Sequence, residues 1–226
     1  VRLDPVDVLA KYDVTVGRRE ELLGTELVPL AFARRADGAV VERWWVHEPS
    51  GVVYRRTLYD ASGMLVGMST VIEMHWGDPG PADPVASDLD RASAVRTVDA
   101  SDAPRHLAGG YDLWRTYELE VEGKPAEQWV YSDGLHALSV FRTRGNLKDP
   151  DGFTASDLDG ERVWTGPGPG TWAWQGGGRS WFVVAEEPAI DAAELIDPFP
   201  KGGPSFWSRL GSVWSRLIGG IGRLFD

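Results

Sequence analysis

The 226-residue chain has no cysteine, only three methionines and only four histidines. The lack of thiols excludes disulfides, thiolate nucleophiles and thiolate metal sites, so the redox compartment cannot be read from cysteine pairing. His47, His75, His106 and His136 are scattered, and none has a second histidine at ligand spacing, so no metal or cofactor is expected. There is no run of eighteen apolar residues, no signal-peptide pattern and no G-x-S-x-G elbow. No spanning helix and no nucleophile triad are therefore expected, and with no catalytic motif the chain reads as a non-enzyme. GPGPG at 166–170 carries two prolines that remove amide donors and no helix follows it, which spoils an anion cradle and leaves a loop. Basic residues are also scarce. Lys and Arg number 23 against 34 Asp and Glu, a net charge of −11, which argues against a nucleic-acid partner. The first residue is valine, so the sequence is expected to start after a cleaved or omitted segment.

What is abundant is turn-forming and aromatic. With 42% hydrophobic residues, 11% aromatics, 27 glycines and 15 prolines, the composition favours short strands and a mainly β (α+β) fold. The stretch Val40 to Trp76 reads as three antiparallel strands joined by EPSG at 48–51 and DASG at 60–63. Each turn ends in the glycine that a left-handed residue demands. If Pro49–Gly51 and Ala61–Gly63 are three-residue loops, even-numbered residues pair with even-numbered ones. One face then gathers Trp44, Val46, Tyr54, Leu58, Val66, Met68, Ile72, Met74 and Trp76, and the other Arg43, Trp45, His47, Arg55, Thr57, Ser69, Glu73 and His75. All three methionines, Met64 included, are even-numbered. A flexible, polarizable Met-bearing face suits ligands of variable shape such as acyl chains or partner helices, and equally suits packing under a covering helix.

Upstream, residues 6–11 read as a helical turn, and Tyr12–Glu20 with Thr25–Arg35 as a hairpin. Five sequential strands leave an exposed edge and an uncovered apolar face, so either the rest of the chain covers it or upstream strands are missing. Residues 1–77 are taken as a first sheet domain and the Pro- and Asp-rich 78–104 as a linker. A β-rich second domain over 105–199 follows, with hairpins about Glu122-Gly123, Ser132-Asp133-Gly134 and Gly176–Gly178, a long loop from Asn146 to Gly160, and a short helix at 189–196. The tail, 200–226, is different in kind. Phe206, Trp207, Leu210, Trp214, Leu217, Ile218 and Ile221 recur at three- and four-residue intervals, with Arg209, Arg216 and Arg223 seven apart on the other side. This amphipathic helix carries a net +3, leaving −14 on the remainder. It suits an anionic membrane surface, and a helix docked on its own domain or on a partner fits the pattern as well.

Two blocks, ERWWVHEPSGVVYRRTLYDASGMLVGMSTVIEMHW at 42–76 and PAEQWVYSDGLHALSVF at 125–141, resemble the MucB/RseB family in order and in turn motifs. The resemblance implies that the first domain is the C-terminal part of a LolA-like antiparallel half-barrel, followed by a small β-rich domain. It further implies an extracytoplasmic regulator, in the periplasm or cell envelope, that binds the extracytoplasmic segment of a membrane-anchored anti-sigma factor. Such a regulator releases its partner on a lipid-type signal, and no catalytic residue comes with the role. The Trp44-Trp45 pair, the Trp-rich 164–181 and the amphipathic tail depart from the family pattern. Two other readings stay open: a lipid or lipoprotein carrier whose Met-bearing face holds acyl chains, and a carbohydrate-binding protein that stacks sugars on its eleven tryptophans.

Overall fold

The structure is a computed structural model that describes residues 5–72, 96–99, 102–121, 124–145, 147, 149–150, 152–158, 160–167, 170–186 and 191–202. The chain divides into two compact units, Val1–Ala82 and Asp83–Asp226. Each is built on an open antiparallel sheet, as the turn-rich composition requires.

In unit 1, helix α1 (Pro5–Lys11) leads into strands β1 (Tyr12–Val16), β2 (Glu20–Leu22), β3 (Thr25–Arg34), β4 (Val40–His47), β5 (Val52–Tyr59) and β6 (Leu65–Thr70). The sheet order is β1-β3-β4-β5-β6, with β2 pairing β3. Gly51 and Gly63 close the two meander turns at φ +69° and +80°, the left-handed conformation that glycine adopts without a Cβ penalty. Asp60 caps its turn by accepting from the amides of Ser62 and Met64.

The register differs from the even-to-even pairing expected of the meander. Trp44 pairs Arg56 and Glu42 pairs Leu58, but nearer the turn Val46 pairs Val53, so Tyr54 is the unpaired residue of a β-bulge. In the next hairpin Tyr59 pairs Leu65, after which Leu58 pairs Gly67 and Thr57 pairs Met68, leaving Val66 as the extra residue. A bulge inserts one residue into one strand, and because side chains alternate faces, everything beyond it changes partners by one. Met68 therefore lies on the side of Thr57, opposite the side of Trp44 and Leu58. The face expected to be continuous from Trp44 through Met68 is split. Nor is the Trp44 face purely apolar. Glu42 is fully buried there and held by Arg56 and by the Trp44 indole N–H, with the Phe32 ring 4.7 Å from that of Trp44.

Unit 2 comprises β7 (Arg96–Thr97), β8 (His106–Leu107), a 3-10 turn (Ala108–Gly110), β9 (Tyr111–Val121), β10 (Lys124–Ser132), β11 (Ala137–Arg144), β12 (Thr154–Leu158), β13 (Glu161–Thr165), β14 (Thr171–Gly176), β15 (Arg179–Ala185) and helix α2 (Ala192–Ile196). They form a nine-stranded sheet in the order β12-β13-β14-β15-β11-β10-β9-β7, with β8 on β9. Strand β12 falls inside the stretch expected to be a long loop; its sequence TASDL is exposed nearly throughout, so no apolar alternation marked it.

Both faces of the central strands are covered. On one side Trp129, Tyr131, Leu138, Val140, Trp174, Trp181 and Val183 pack with Leu195, Ile196 and Phe199. On the other, Phe141, Trp164, Ala173 and Phe182 pack with Leu147 and Phe153. Helix α2 is capped by Asp191, whose side chain accepts from Ala193 N–H. The segment that follows it is held against the β14–β15 hairpin, with the Trp174 indole donating to the Pro200 carbonyl at 3.2 Å. Only a glycine fits below that carbonyl, since a Cβ on Gly176 would lie 1.7 Å from it.

Candidate binding surfaces

Two places stand out, one in each unit. The first is the β6 side of unit 1. Strand β6 ends the sheet, and no strand among the described residues pairs with its outer edge. Around it Met64, Leu65, Val66 and Met68 are exposed, Met68 by 61%, and Ile72, just past the strand, by 88%. An edge strand with free N–H and C=O groups and apolar side chains is a ready template for an added strand, and soluble proteins usually blunt such an edge with charge or proline. Neither occurs in Leu65–Thr70.

Of the expected site residues, Val66 and Met68 lie on this edge strand, Ile72 just past it, Tyr54 and Leu58 on the adjoining β5, and Trp44 and Val46 on β4, one strand further in. Trp44, Val46, Tyr54 and Leu58 are half-buried in the sheet, while Val66, Met68 and Ile72 are exposed at its margin. Met68 shares its side with a cationic, aromatic surface: Arg43 lies 5.7 Å from the centroid of the Tyr59 ring, and Arg55 5.7 Å from that of Trp45. Thr57 on the same side donates toward the Tyr59 hydroxyl. Met74 and Trp76 lie outside the described residues, as do all the expected tail residues from Phe206 to Arg223.

The second place was not anticipated from sequence. In unit 2 a cavity of about 300 Å³ is walled by Trp129, Trp181, Phe199, Pro104, Pro198, Pro200 and the Gly176-Gly177 backbone, with Arg142, Arg179 and Asp102 completing it. Arg142, its side chain 8% exposed, pairs with the carboxylates of Asp102 and Glu127. Its guanidinium lies 4.6 Å from the Trp129 ring centroid and 5.8 Å from that of Trp181. A buried guanidinium needs this much compensation. The Arg142 hydrogen bonds, more than its charge alone, hold the Asp102 carboxyl below the usual carboxylate range.

No group of three or more histidine, aspartate or glutamate side chains among the described residues is placed to hold a metal ion. No helix among them is long and apolar enough to cross a membrane, which says nothing of strands.

No family model and no curated protein matches the chain. Solved structures do. The crystal structure of MucB in complex with MucA(peri) aligns at a TM-score of 0.55 with 20% identity, over 88% of this chain and 71% of that one. MucB alone aligns at 0.51 and 18%, over 87% of this chain and 64% of that one. The MucA/MucB complex of Pseudomonas aeruginosa aligns at 0.49 and 17%, over 90% and 69%. The mainly β architecture described above is thus a MucB/RseB-like fold.

Proposed function

We propose that this chain is a non-enzymatic extracytoplasmic regulator that binds the extracytoplasmic segment of a membrane-anchored anti-sigma factor. One observation carries the reading: the chain shares its fold, over 88% of its length, with MucB as solved in complex with MucA(peri). The β6 edge, which no described strand pairs, and the exposed Met68 and Ile72 support it, because an extended partner segment gains both main-chain hydrogen bonds and apolar contacts there. On this reading Leu58, Tyr54, Trp44 and Val46 support the contact from within the sheet, and Val66, Met68 and Ile72 touch the partner. Lipid sensing is the finer part of the proposal, an acyl chain competing for the same apolar margin. The 206–225 sequence pattern adds peripheral membrane attachment.

The test is a calorimetric titration of the full chain with the extracytoplasmic segment of the anti-sigma factor encoded beside its gene. Binding is expected to weaken by about tenfold or more in Met68→Asp and in Ile72→Asp, the cost of desolvating a carboxylate at an apolar contact. Unchanged affinity in both variants removes β6 from the interface, and absence of binding by the unaltered chain refutes the function. An apolar carrier remains the second reading, favoured by the same exposed side chains; it predicts acyl-ligand binding without any protein partner.

A further inference from the structure

The pairing of β4, β5 and β6 lays unit 1 out in rows that cross the sheet. One row runs Arg43–Thr57–Met68 and the next, on the same face, Trp45–Arg55–Thr70. A strand added to β6 continues both rows, since direct partners share a face and successive side chains on that face are two residues apart. What stands at the outer end of each row therefore sets what the added strand should carry.

The first row ends in an apolar side chain, Met68, 61% exposed. The second ends in a cation without an anion. Arg19, Arg34, Arg35 and Arg56 of unit 1 each meet a carboxylate, whereas Arg55, among the described residues, forms no ion pair. Its guanidinium lies 5.7 Å from the Trp45 ring centroid, and its Nε donates to the Thr70 hydroxyl on β6 at 3.3 Å. Both Nη groups of the fork are left for an acceptor from outside. Glu20, at the inner end of this row, is taken up by the Trp45 indole N–H at 2.9 Å. In a chain of net charge −11, an arginine that no carboxylate holds is a selective place: an acidic segment is repelled elsewhere and accepted here.

The opposite face offers no second such place. There the row Trp44–Arg56–Ser69 also contains an arginine, but Arg56 already holds the fully buried Glu42, so an incoming carboxylate meets that charge.

Distance separates the roles of Arg55 and Arg43. Strands lie about 4.8 Å apart, which puts an added strand about 10 Å from β5 and about 14 Å from β4. Two long side chains span the first gap. Across the second, Arg43, whose guanidinium lies 5.7 Å from the Tyr59 ring centroid, acts through its field alone.

We infer, resting on the anti-sigma reading above, that the segment held on β6 is an amphipathic acidic strand. It places an aspartate or glutamate in the Trp45–Arg55–Thr70 row, bonded to Arg55, and an apolar side chain two residues away in the Met68 row.

Surface plasmon resonance of the full chain against the anti-sigma extracytoplasmic segment tests it, with thermal unfolding of each variant to establish that it folds. Arg55→Gln is expected to lower affinity about tenfold through faster dissociation, as loss of a charge-assisted contact does. Arg55→Lys, which keeps the charge without the fork, is expected to fall between Arg55→Gln and the unaltered chain. Arg43→Gln is expected to slow association about twofold and leave dissociation unchanged, the signature of a charge that steers without touching. A segment whose carboxylates are replaced by amides is expected to bind the unaltered chain and Arg55→Gln alike, because the two changes remove one bond. Unchanged affinity in Arg55→Gln, with Met68→Asp still weakening binding, overturns the acidic strand and leaves the anti-sigma reading standing. Dissociation from Arg43→Gln as fast as from Arg55→Gln overturns it as well, since the segment then lies across the sheet rather than along β6. No binding by the unaltered chain removes both.

Discussion

The two units cover their sheets in different ways. In unit 2, strand β11 is buried from Ala137 to Arg142 and β14 from Thr171 to Trp174 without alternation, because the helix–loop segment 191–200 lies over one face and Leu147 and Phe153 over the other. In unit 1 the strands are mostly half-buried, and among the described residues the buried apolar side chains are few: Val8, Tyr12, Leu27, Phe32 and Val41. Among the described residues, nine of the ten exposed large hydrophobic side chains lie in unit 1, with Trp114 of unit 2 the tenth. A scattered exposed leucine means little, but a cluster beside an edge that no described strand pairs is the kind of surface on which the proposed partner contact rests. The contrast teaches that apolar content alone does not locate a core. Coverage does.

The contrast breaks most visibly through the unit 2 core. Trp181→Ala is expected to cost about 3–5 kcal/mol, the usual loss for a buried large aromatic, because Trp181 stacks on Trp174 at 5.9 Å and 6° and packs on Trp129 and Phe199. Urea unfolding followed by near-ultraviolet circular dichroism measures it. An equal loss in Trp44→Ala, where the side chain is only half-buried, would erase the distinction. Gly176→Ala comes next, at about 1–3 kcal/mol for a forced overlap, with the added Cβ displacing Pro200. Faster amide exchange over 196–202, with strands β9 and β10 unaffected, is the signature.

Smaller effects sharpen the comparison. The Tyr131 hydroxyl is buried without a hydrogen-bond partner, and burial pushes its pKa well above the ordinary phenol value. Its folded form therefore stays neutral while the unfolded chain ionises above about pH 10, so stability falls as pH rises past that point. Tyr131→Phe is expected to be neutral or stabilising by up to about 1 kcal/mol at pH 7 and to flatten this alkaline decline in a pH series of unfolding curves. Least of all, Met68→Asp is expected to change stability by no more than about 0.5 kcal/mol, as at most exposed positions. The same substitution is expected to lower affinity for the proposed partner, a separation that thermal unfolding and titration read together.

Much of the fold was legible because it rests on local signals. Gly51 and Gly63 announced left-handed turn ends, and the strands from Tyr111 to Arg144 followed their turns. The bulges at Tyr54 and Val66 were not legible. An extra residue is absorbed where non-local packing makes it cheapest, and a one-residue slip leaves the alternating sequence pattern looking intact. Burial of Glu42 was hidden for a related reason: its partner Arg56 is fourteen residues away, and only the pairing of β4 with β5 brings them together. The unit 2 cavity draws on residues from Asp102 to Pro200, with no spacing that a linear reading would group. The apolar edge of unit 1 was half legible; its residues were named, but they were joined into one face with Trp44 that the register divides.

Amide hydrogen exchange on the full chain, with and without the anti-sigma extracytoplasmic segment, tests the division of labour most directly. The account predicts new protection concentrated in β6 and the adjoining β5, with the central strands β11 and β15, already buried, unchanged. Protection confined to unit 2, with β6 exchanging as before, would contradict it.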